Sequence, residues 1–212
     1  MIGHKKIIAL MLCLTLPLAA CLNLKQPKNK IEYYTLEYDP PAVGNHQPLP
    51  HVIRVQRFSV SPIYNSNRII YRDKSYKRQA YTYYKWQANP AKFVTYYLSR
   101  DLQESGLFKA VLPAHGRFAP AFLVEGTVND FLERDGENPW EAVLSVSIVF
   151  MDEKETDISR KILFQKTYRT EKPCRQRNPR ALAAAMSLAM SEISGKIIND
   201  LYHFLAAPNS VR

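Results

Sequence analysis

Three cysteines are the most nucleophilic side chains in this sequence, and one of them occupies an unusual position. Cys21 follows Leu18-Ala19-Ala20 at the end of the apolar segment 7–20. A basic start (MIGHKK), a short apolar stretch and small residues at its end are typical of a secretory signal peptide. Fourteen apolar residues are too few for a helix that crosses a hydrocarbon core of about 30 Å. We therefore predict that residues 1–20 are a signal peptide.

The segment Leu18-Ala19-Ala20-Cys21 resembles the lipobox of bacterial lipoproteins. The resemblance implies that the Cys21 thiol receives a diacylglycerol, that the preceding peptide is removed and that the new amino terminus is acylated. Each buried methylene contributes about 0.8 kcal/mol, and two or more acyl chains anchor a protein stably. An ordinary signal peptide with a chance cysteine and an uncleaved anchor are the alternatives. Leu22 and Asn23 stand where an aspartate would resemble an inner-membrane retention signal, so we expect the periplasmic face of the outer membrane.

The rest of the chain lacks the usual sequence marks of an enzyme. It has no Gly-rich phosphate loop, no GxSxG and no HExxH, and its histidines do not have zinc-binding spacing. Cys174 lies in KPCRQR, where two arginines could lower its pKa, but a surface-loop thiol is the simpler interpretation. Four carboxylates are predicted to form a solvated strand end: Asp130, Glu133, Asp135 and Glu137. We predict a protein that is not an enzyme, and a site assembled from distant residues is left open.

Positive charge and aromatic residues are concentrated in the first half of the chain. The net charge is +10, and residues 22–110 contain 14 Lys and Arg against 6 Asp and Glu. Nine tyrosines lie between residues 33 and 84, interleaved with basic residues. Such residues are enriched at protein interfaces and also suit a layer of lipid headgroups, while burial of the rings in strands is an equal alternative. Because export disfavours nucleic acid as a partner, we predict no nucleic-acid binding.

Hydrophobic periodicity and turn residues predict an α/β (α+β) fold. A helix should begin at Asn89-Pro90 and end at Gly106, and a long amphipathic helix should begin at Asn178-Pro179. Five short strands are predicted at 31–38, 51–60, 68–73, 76–86 and 109–113. Three longer strands should form an antiparallel meander, at 122–135, 141–154 and 161–172.

The composition indicates one compact domain with a substantial core. Because 46% of the residues are hydrophobic, the chain is globular rather than disordered. We predict a domain at 31–207, after a tether at 21–30 and before a tail at 208–212. Its mixed sheet should include the meander and carry two main helices. No second long apolar stretch is evident, so nothing after the signal is expected to cross a membrane.

Several segments occur in the order found in one known family: VIRVQRFSVSP, SNRIIYRDKSY and YYKWQANPAKFVTYYLSRDLQESGLFKAVLP. With the lipobox, the meander and the final helix, this series resembles the ABC-type transport auxiliary lipoprotein family. Its members include the outer-membrane lipoprotein of the paraquat-inducible Pqi intermembrane system. The chain departs from many relatives in its tyrosine content and its basic first half, so we expect a partner surface of its own.

The resemblance implies a non-catalytic role beside an ABC transporter. The lipoprotein would dock an MCE-domain bridging subunit at the outer membrane, with a ring of identical subunits as the implied assembly. Arg68, Tyr71, Arg72 and Trp86 lie in the matching segments and are predicted to serve the fold or a partner contact. No metal or cofactor is expected. The alternatives are an envelope-assembly lipoprotein, for lipopolysaccharide or outer-membrane proteins, and a periplasmic hydrolase.

Overall fold

The computed structural model describes residues 30–73, 75–116, 118–136 and 140–207. The predicted signal peptide, the lipidation site Cys21, most of the predicted tether and the predicted tail lie outside these residues. The strands are β1 (Glu32–Tyr34), β2 (Leu49–Val55), β3 (Ser59–Val60), β4 (Arg68–Arg72), β5 (Gln79–Trp86), β6 (Phe108–Leu112), β7 (Phe122–Arg134), β8 (Glu141–Asp152) and β9 (Ile162–Pro173). The α-helices are α1 (Pro90–Glu104), α2 (Ile158–Lys161) and α3 (Pro179–Ala206), and a 3₁₀ turn covers Pro62–Tyr64.

β7 is the central strand of one mixed sheet. Along one side, β7 pairs in parallel with β2 and β3 and, at its last two residues, with β4. Along its other side it pairs antiparallel with β8, which pairs antiparallel with β9. β6 extends the sheet beyond β2, while β5 and β1 extend it beyond β4. The mixed sheet and its antiparallel meander are therefore confirmed.

Both long helices begin as the sequence predicts. The side-chain oxygen of Asn89 accepts a hydrogen bond from the Ala91 N–H at 2.9 Å, and that of Asn178 accepts one from the Ala181 N–H at 2.8 Å. A proline follows each cap, in the first turn, where its missing N–H leaves no helical bond unmade. Gly106 follows α1 with a φ of 64°, a left-handed conformation that a side chain would strain.

α1 and α3 cover the core of the domain. Trp86 is only 1% exposed, and its ring meets Phe131 at 5.2 Å and Phe93 at 6.2 Å between ring centroids. Apolar side chains of α3 that recur every three or four residues are all buried: Leu182, Met186, Ala189, Ile193, Ile197, Leu201 and Leu205. This stripe is core, as predicted, because it packs on β8 and β9.

α3 is also long and apolar enough to cross a membrane by composition, with a mean hydropathy of 1.3. The prediction that no later segment has this character therefore needs correcting. In the structure, α3 lies against β8, β9 and α1, and 15 of its residues are buried. The domain core thus uses the apolar residues of α3.

The first predicted strand, 31–38, is shorter in the structure. β1 covers three residues, after which the chain leaves the sheet and crosses the helices. The Leu36 carbonyl accepts a hydrogen bond from the Tyr97 hydroxyl, and the Glu37 N–H donates to Ser187 Oγ at 2.9 Å. Side chains of α1 and α3 thus replace the backbone partners that a longer strand would need.

Two connections also differ from the sequence prediction. β2 begins at Leu49, two residues before the predicted strand 51–60, because the Leu49 N–H donates to the Leu107 carbonyl at 2.8 Å. The link between β8 and β9 contains the single-turn helix α2 instead of a simple hairpin turn. The Asp157 carboxylate caps α2 by accepting a hydrogen bond from the Ser159 N–H at 2.9 Å.

Candidate docking surface

Three connections lie side by side at one end of the sheet. Arg72 of β4 pairs with Arg134 of β7, Arg134 pairs with Glu141 of β8, and Glu141 pairs with Pro173 of β9. The β4–β5 hairpin, the β7–β8 loop and the β9–α3 connection therefore share this end. β1 pairs with the last three residues of β5 and runs parallel to it, away from this end. We call this the tether end only as a label, since β1 is the first strand after the predicted tether and runs away from it.

Arg177 joins two of the three connections. It donates a hydrogen bond to the Gly136 carbonyl at 2.9 Å and lies 3.6 Å from an Asp135 carboxylate oxygen. The Asp135 N–H in turn donates to the Arg72 carbonyl at 2.7 Å, and the Cys174 N–H donates to the Trp140 carbonyl at 2.6 Å. The loops of the tether end are thus held to one another by backbone hydrogen bonds.

Other cations of the tether end stay available to a partner. The ion pairs formed among the described residues do not include Lys77, Arg175 or Arg180. Lys77 follows Tyr76 at the tip of the β4–β5 hairpin, where the Tyr76 side chain is fully exposed. This end therefore presents positive charge beside an aromatic ring.

A groove of about 490 Å³ opens beside the start of α3. Ala181, Ala184 and Leu188 of α3 give it apolar lining, and Arg175, Arg180 and Glu37 also line it. Leu188 is 58% exposed, which is high for a large aliphatic side chain on a helix with 15 buried residues. The groove thus combines apolar surface with two arginines and one glutamate.

The four residues singled out from the sequence do not form one cluster. Trp86 is buried in the core, so its role in the structure is packing. The Tyr71 hydroxyl donates to the Gln79 side-chain oxygen at 2.8 Å, within the β4–β5 pair. Arg72 is half-buried at the tether end, whereas Arg68 is exposed at the opposite end of β4. A partner contact by Arg68, Tyr71 or Arg72 stays a prediction.

Four of the tyrosines form a ladder across β4, β5 and β1. The ring centroids of Tyr71 and Tyr81 are 5.0 Å apart, those of Tyr81 and Tyr84 are 5.8 Å apart, and those of Tyr84 and Tyr34 are 6.2 Å apart. Such edge-on and tilted pairs stabilise a sheet beyond simple area burial. Much of the tyrosine content thus serves the fold, while Tyr76 does not.

Glu133 is a titratable group that the sequence interpretation placed in solvent and the structure places in the interior. It is 1% exposed, and the Tyr81 hydroxyl lies 3.0 Å and 3.1 Å from its two carboxylate oxygens and donates to them. Burial raises the pKa of Glu133 to about 7. The predicted solvated strand end is therefore wrong for this residue. Glu133 lies two positions after the core residue Phe131, and alternation along a strand places both on the same face.

Asp130, three positions before Glu133 on β7, also forms hydrogen bonds within the protein. The Tyr64 hydroxyl donates to one oxygen of Asp130 at 3.1 Å, and Arg169 donates to the other at 2.5 Å. Asp130 thus joins the 3₁₀ turn to β9. Because both oxygens of each carboxylate accept hydrogen bonds, Asp130 and Glu133 do not form a pair of free carboxylates.

Cys174 is not an activated thiol. It is half-buried, and burial, with Glu133 nearby, raises the pKa of its thiol to about 11. The adjacent arginines do not offset this effect. The thiol is therefore protonated at neutral pH, which agrees with the unreactive interpretation.

A second buried carboxylate, Asp101, fastens the chain after β1 to α1. The Tyr38 hydroxyl donates to Asp101 at 2.8 Å, and Arg100 donates to its other oxygen at 2.9 Å and 2.7 Å. The Arg100 guanidinium also lies over the rings of Tyr38 and Tyr97, at 4.5 Å and 4.8 Å. With all its strong partners inside the domain, this cluster is structural.

The family model of the ABC-type transport auxiliary lipoprotein component matches residues 34–198. The chain belongs to this family. As a member, it is an envelope-associated lipoprotein that works with an ABC-type transport system. None of the curated proteins matches the chain.

Solved structures share the fold of this family member. Protein XCC0632 of Xanthomonas campestris superposes with a TM-score of 0.72 at 16% identity, over 81% of this chain and 95% of that one. The hypothetical protein CT253 of Chlamydia trachomatis gives a TM-score of 0.53 at 10% identity, over 74% of this chain and 99% of that one. At these identities the likeness shows the fold alone.

Proposed function

We propose that this chain is a lipid-anchored, non-catalytic component of an ABC/MCE-type intermembrane lipid transport system. It would hold the MCE-domain bridging subunit at the periplasmic face of the outer membrane, as one subunit of a ring. The observation that carries this proposal is the family match over residues 34–198. The lipobox-like segment that ends at Cys21 supports the anchor.

Two features of the described residues support a role without catalysis. Cys174 has a raised pKa and is therefore a poor nucleophile at neutral pH. Both oxygens of Glu133 are occupied by the Tyr81 hydroxyl inside the protein. Turnover of an ester, glycoside or peptide substrate that is lost on mutation of a named side chain would contradict this part of the proposal.

The partner is tested by cross-linking in cells that express a carboxy-terminally tagged chain. Membranes are isolated and the co-purifying proteins are identified by mass spectrometry. We expect an MCE-domain protein together with an ABC ATPase or permease. Recovery of lipopolysaccharide- or β-barrel-assembly proteins without an MCE subunit would overturn the proposal in favour of envelope assembly.

The anchor is tested by replacing the thiol that would carry the lipid. Cys21→Ser should move the protein from the membrane fraction to the soluble periplasmic fraction, because the acyl chains provide the binding free energy. Cys174→Ser is the matched control and should stay with the membranes. A Cys21→Ser protein that remains membrane-bound, together with a wild-type chain that is found unprocessed, would contradict lipidation at this position. Separation of inner and outer membranes then tests the location.

A further inference from the structure

We propose that the tether end is a membrane-contacting surface that binds anionic lipid headgroups through Tyr76, Lys77, Arg175 and Arg180. The four residues come from two segments about a hundred positions apart in the sequence, and strand pairing brings both segments to the same end of the sheet. The proposal rests on the proposed function only in that a lipid on Cys21 would keep the domain beside a bilayer, because the binding itself is a property of the domain.

The spacing of the two segments suits a bilayer surface rather than one small ligand. β4 and β9 are three strand positions apart through β7 and β8, a separation of roughly 14 Å. The cations of the hairpin and of the α3 start are thus spread over the end of the sheet. A headgroup layer offers several negative charges over such a distance, and each nearby Lys or Arg strengthens binding about fivefold.

The acidic residues of the tether end do not cancel these cations. Asp135 lies beside Arg177. Asp73 accepts hydrogen bonds from both the N–H and the hydroxyl of Ser75, and these bonds hold its pKa below its ordinary value. Lys77 lies near Asp73, and Glu37 lines the same groove as Arg175 and Arg180. These three cations outnumber the two acids, so a net positive surface remains at this end.

Tyr76 provides the second part of the interaction. Its side chain has a relative exposure of 104%, so it makes no packing contact that would explain a large ring at this position. A phenol ring with its hydroxyl suits the interface between headgroups and hydrocarbon, where tyrosine is enriched. A neighbouring lysine adds attraction to anionic headgroups.

The exposed ring of Tyr76 favours a membrane over an acidic protein as the occupant. An acidic protein surface would satisfy the cations alone. A headgroup layer accepts both the cations and a phenol ring that reaches the edge of the hydrocarbon.

The test uses the unlipidated chain that starts at residue 22, since residues 31–212 form one compact unit with its own core. Co-sedimentation is measured with phosphatidylethanolamine vesicles, with and without phosphatidylglycerol. We expect binding that requires phosphatidylglycerol and weakens as salt is added. The double variants Tyr76→Ala/Lys77→Glu and Arg175→Glu/Arg180→Glu should each lose about tenfold or more in affinity.

The matched control is a double variant at the opposite end of the sheet. Lys154→Glu/Ile158→Ala changes one exposed cation and one exposed apolar side chain, and it should bind as the wild type does. Every variant keeps the lysines of the predicted tether, so a loss of binding reports the tether end. Circular dichroism and Tm confirm that each variant is folded, and Tyr76→Phe provides a milder change.

Two outcomes would overturn the proposal. One is wild-type binding that does not depend on phosphatidylglycerol or is equal in all variants. The other is vesicle binding that survives the tether-end changes while cross-linking to a protein is lost in cells, which would assign the surface to an acidic protein. Because the protein in the vesicle test carries no lipid, its result is separate from that of Cys21→Ser.

Discussion

The two ends of the sheet use charge in opposite ways. At the far end, which carries the β8–β9 link, Arg160 lies 3.5 Å from Glu155 and 3.4 Å from Asp157, and Lys161 lies 3.2 Å from Glu153. At the tether end, Lys77, Arg175 and Arg180 are outside the ion pairs of the described residues. Acidic and basic residues of one short link, such as that between β8 and β9, can pair with each other. Basic residues on separate connections stay available to a partner when few unpaired carboxylates lie near them.

Two carboxylates, one near each end, should respond to pH in opposite directions. Burial raises the pKa of Glu133, near the tether end, to about 7. At the far end, hydrogen bonds from the side chain and N–H of Ser159 lower the pKa of Asp157. A raised carboxyl pKa favours folding at low pH and a lowered one favours it at high pH. Burial dominates for Glu133 and hydrogen bonding for Asp157.

The largest expected effect distinguishes the buried core residue Trp86 from the exposed hairpin residue Tyr76. Trp86→Ala should lower the free energy of unfolding by about 3–5 kcal/mol, because it leaves a cavity beside Phe93 and Phe131. Tyr76→Ala should change it by less than about 0.5 kcal/mol, as should Ile158→Ala at the far end. Urea denaturation measures all three. A large loss for Tyr76→Ala would show that the hairpin tip is packed.

The next effect concerns Glu133. Its pKa is about 7 in the folded protein against an ordinary value of 4.5, so the folded state binds the proton more tightly. Stability from this group is complete below pH of about 4.5 and is lost as pH rises to about 7, with a total of up to about 3 kcal/mol. Glu133→Gln should remove this slope from the urea stability measured across that range.

Asp135→Asn is the control for this prediction, because its carboxylate is partly exposed and lies beside Arg177. It should leave the slope between acidic and neutral pH in place. If the pH dependence of stability is unchanged in Glu133→Gln, the pKa of Glu133 is not raised in the folded protein. Burial beside Tyr81 would then not favour the protonated carboxyl group.

The smallest effect is local to the far end. The side-chain and backbone hydrogen bonds from Ser159 stabilise the charged form of Asp157, so its contribution is present at neutral pH and is lost as pH falls through its lowered pKa. In an NMR titration, the Ser159 amide shift should follow this pKa below the ordinary 3.8. Asp157→Ala should abolish the titration with little change in Tm. A midpoint at or above the ordinary value would contradict the cap.

The sequence predicted the elements whose signals are local. Asn89-Pro90 and Asn178-Pro179 mark the starts of α1 and α3 because an Asn cap and a first-turn proline act within one turn. Gly106 marks the end of α1 for an equally local reason. The meander follows from three long strands with short links.

The sequence could not place side chains whose partners are distant in the chain. Asp101 meets Tyr38 across 63 residues, and Glu133 meets Tyr81 across 52. Both carboxylates are buried, which composition and spacing do not reveal. The three-residue length of β1 has the same cause, because Tyr97 and Ser187 take over its hydrogen bonding.

By itself, the sequence determined the lipobox-like cysteine, the caps of the two long helices, the apolar stripe of α3 and the excess of basic residues before position 110. These features depend on neighbouring residues or on composition. Only the tertiary structure decided which aromatic rings are core, which carboxylates are buried and which cations share one end of the sheet. Strand pairing decides these, because the parallel pairing of β4 with β7 and the antiparallel meander align chain segments that lie about a hundred residues apart.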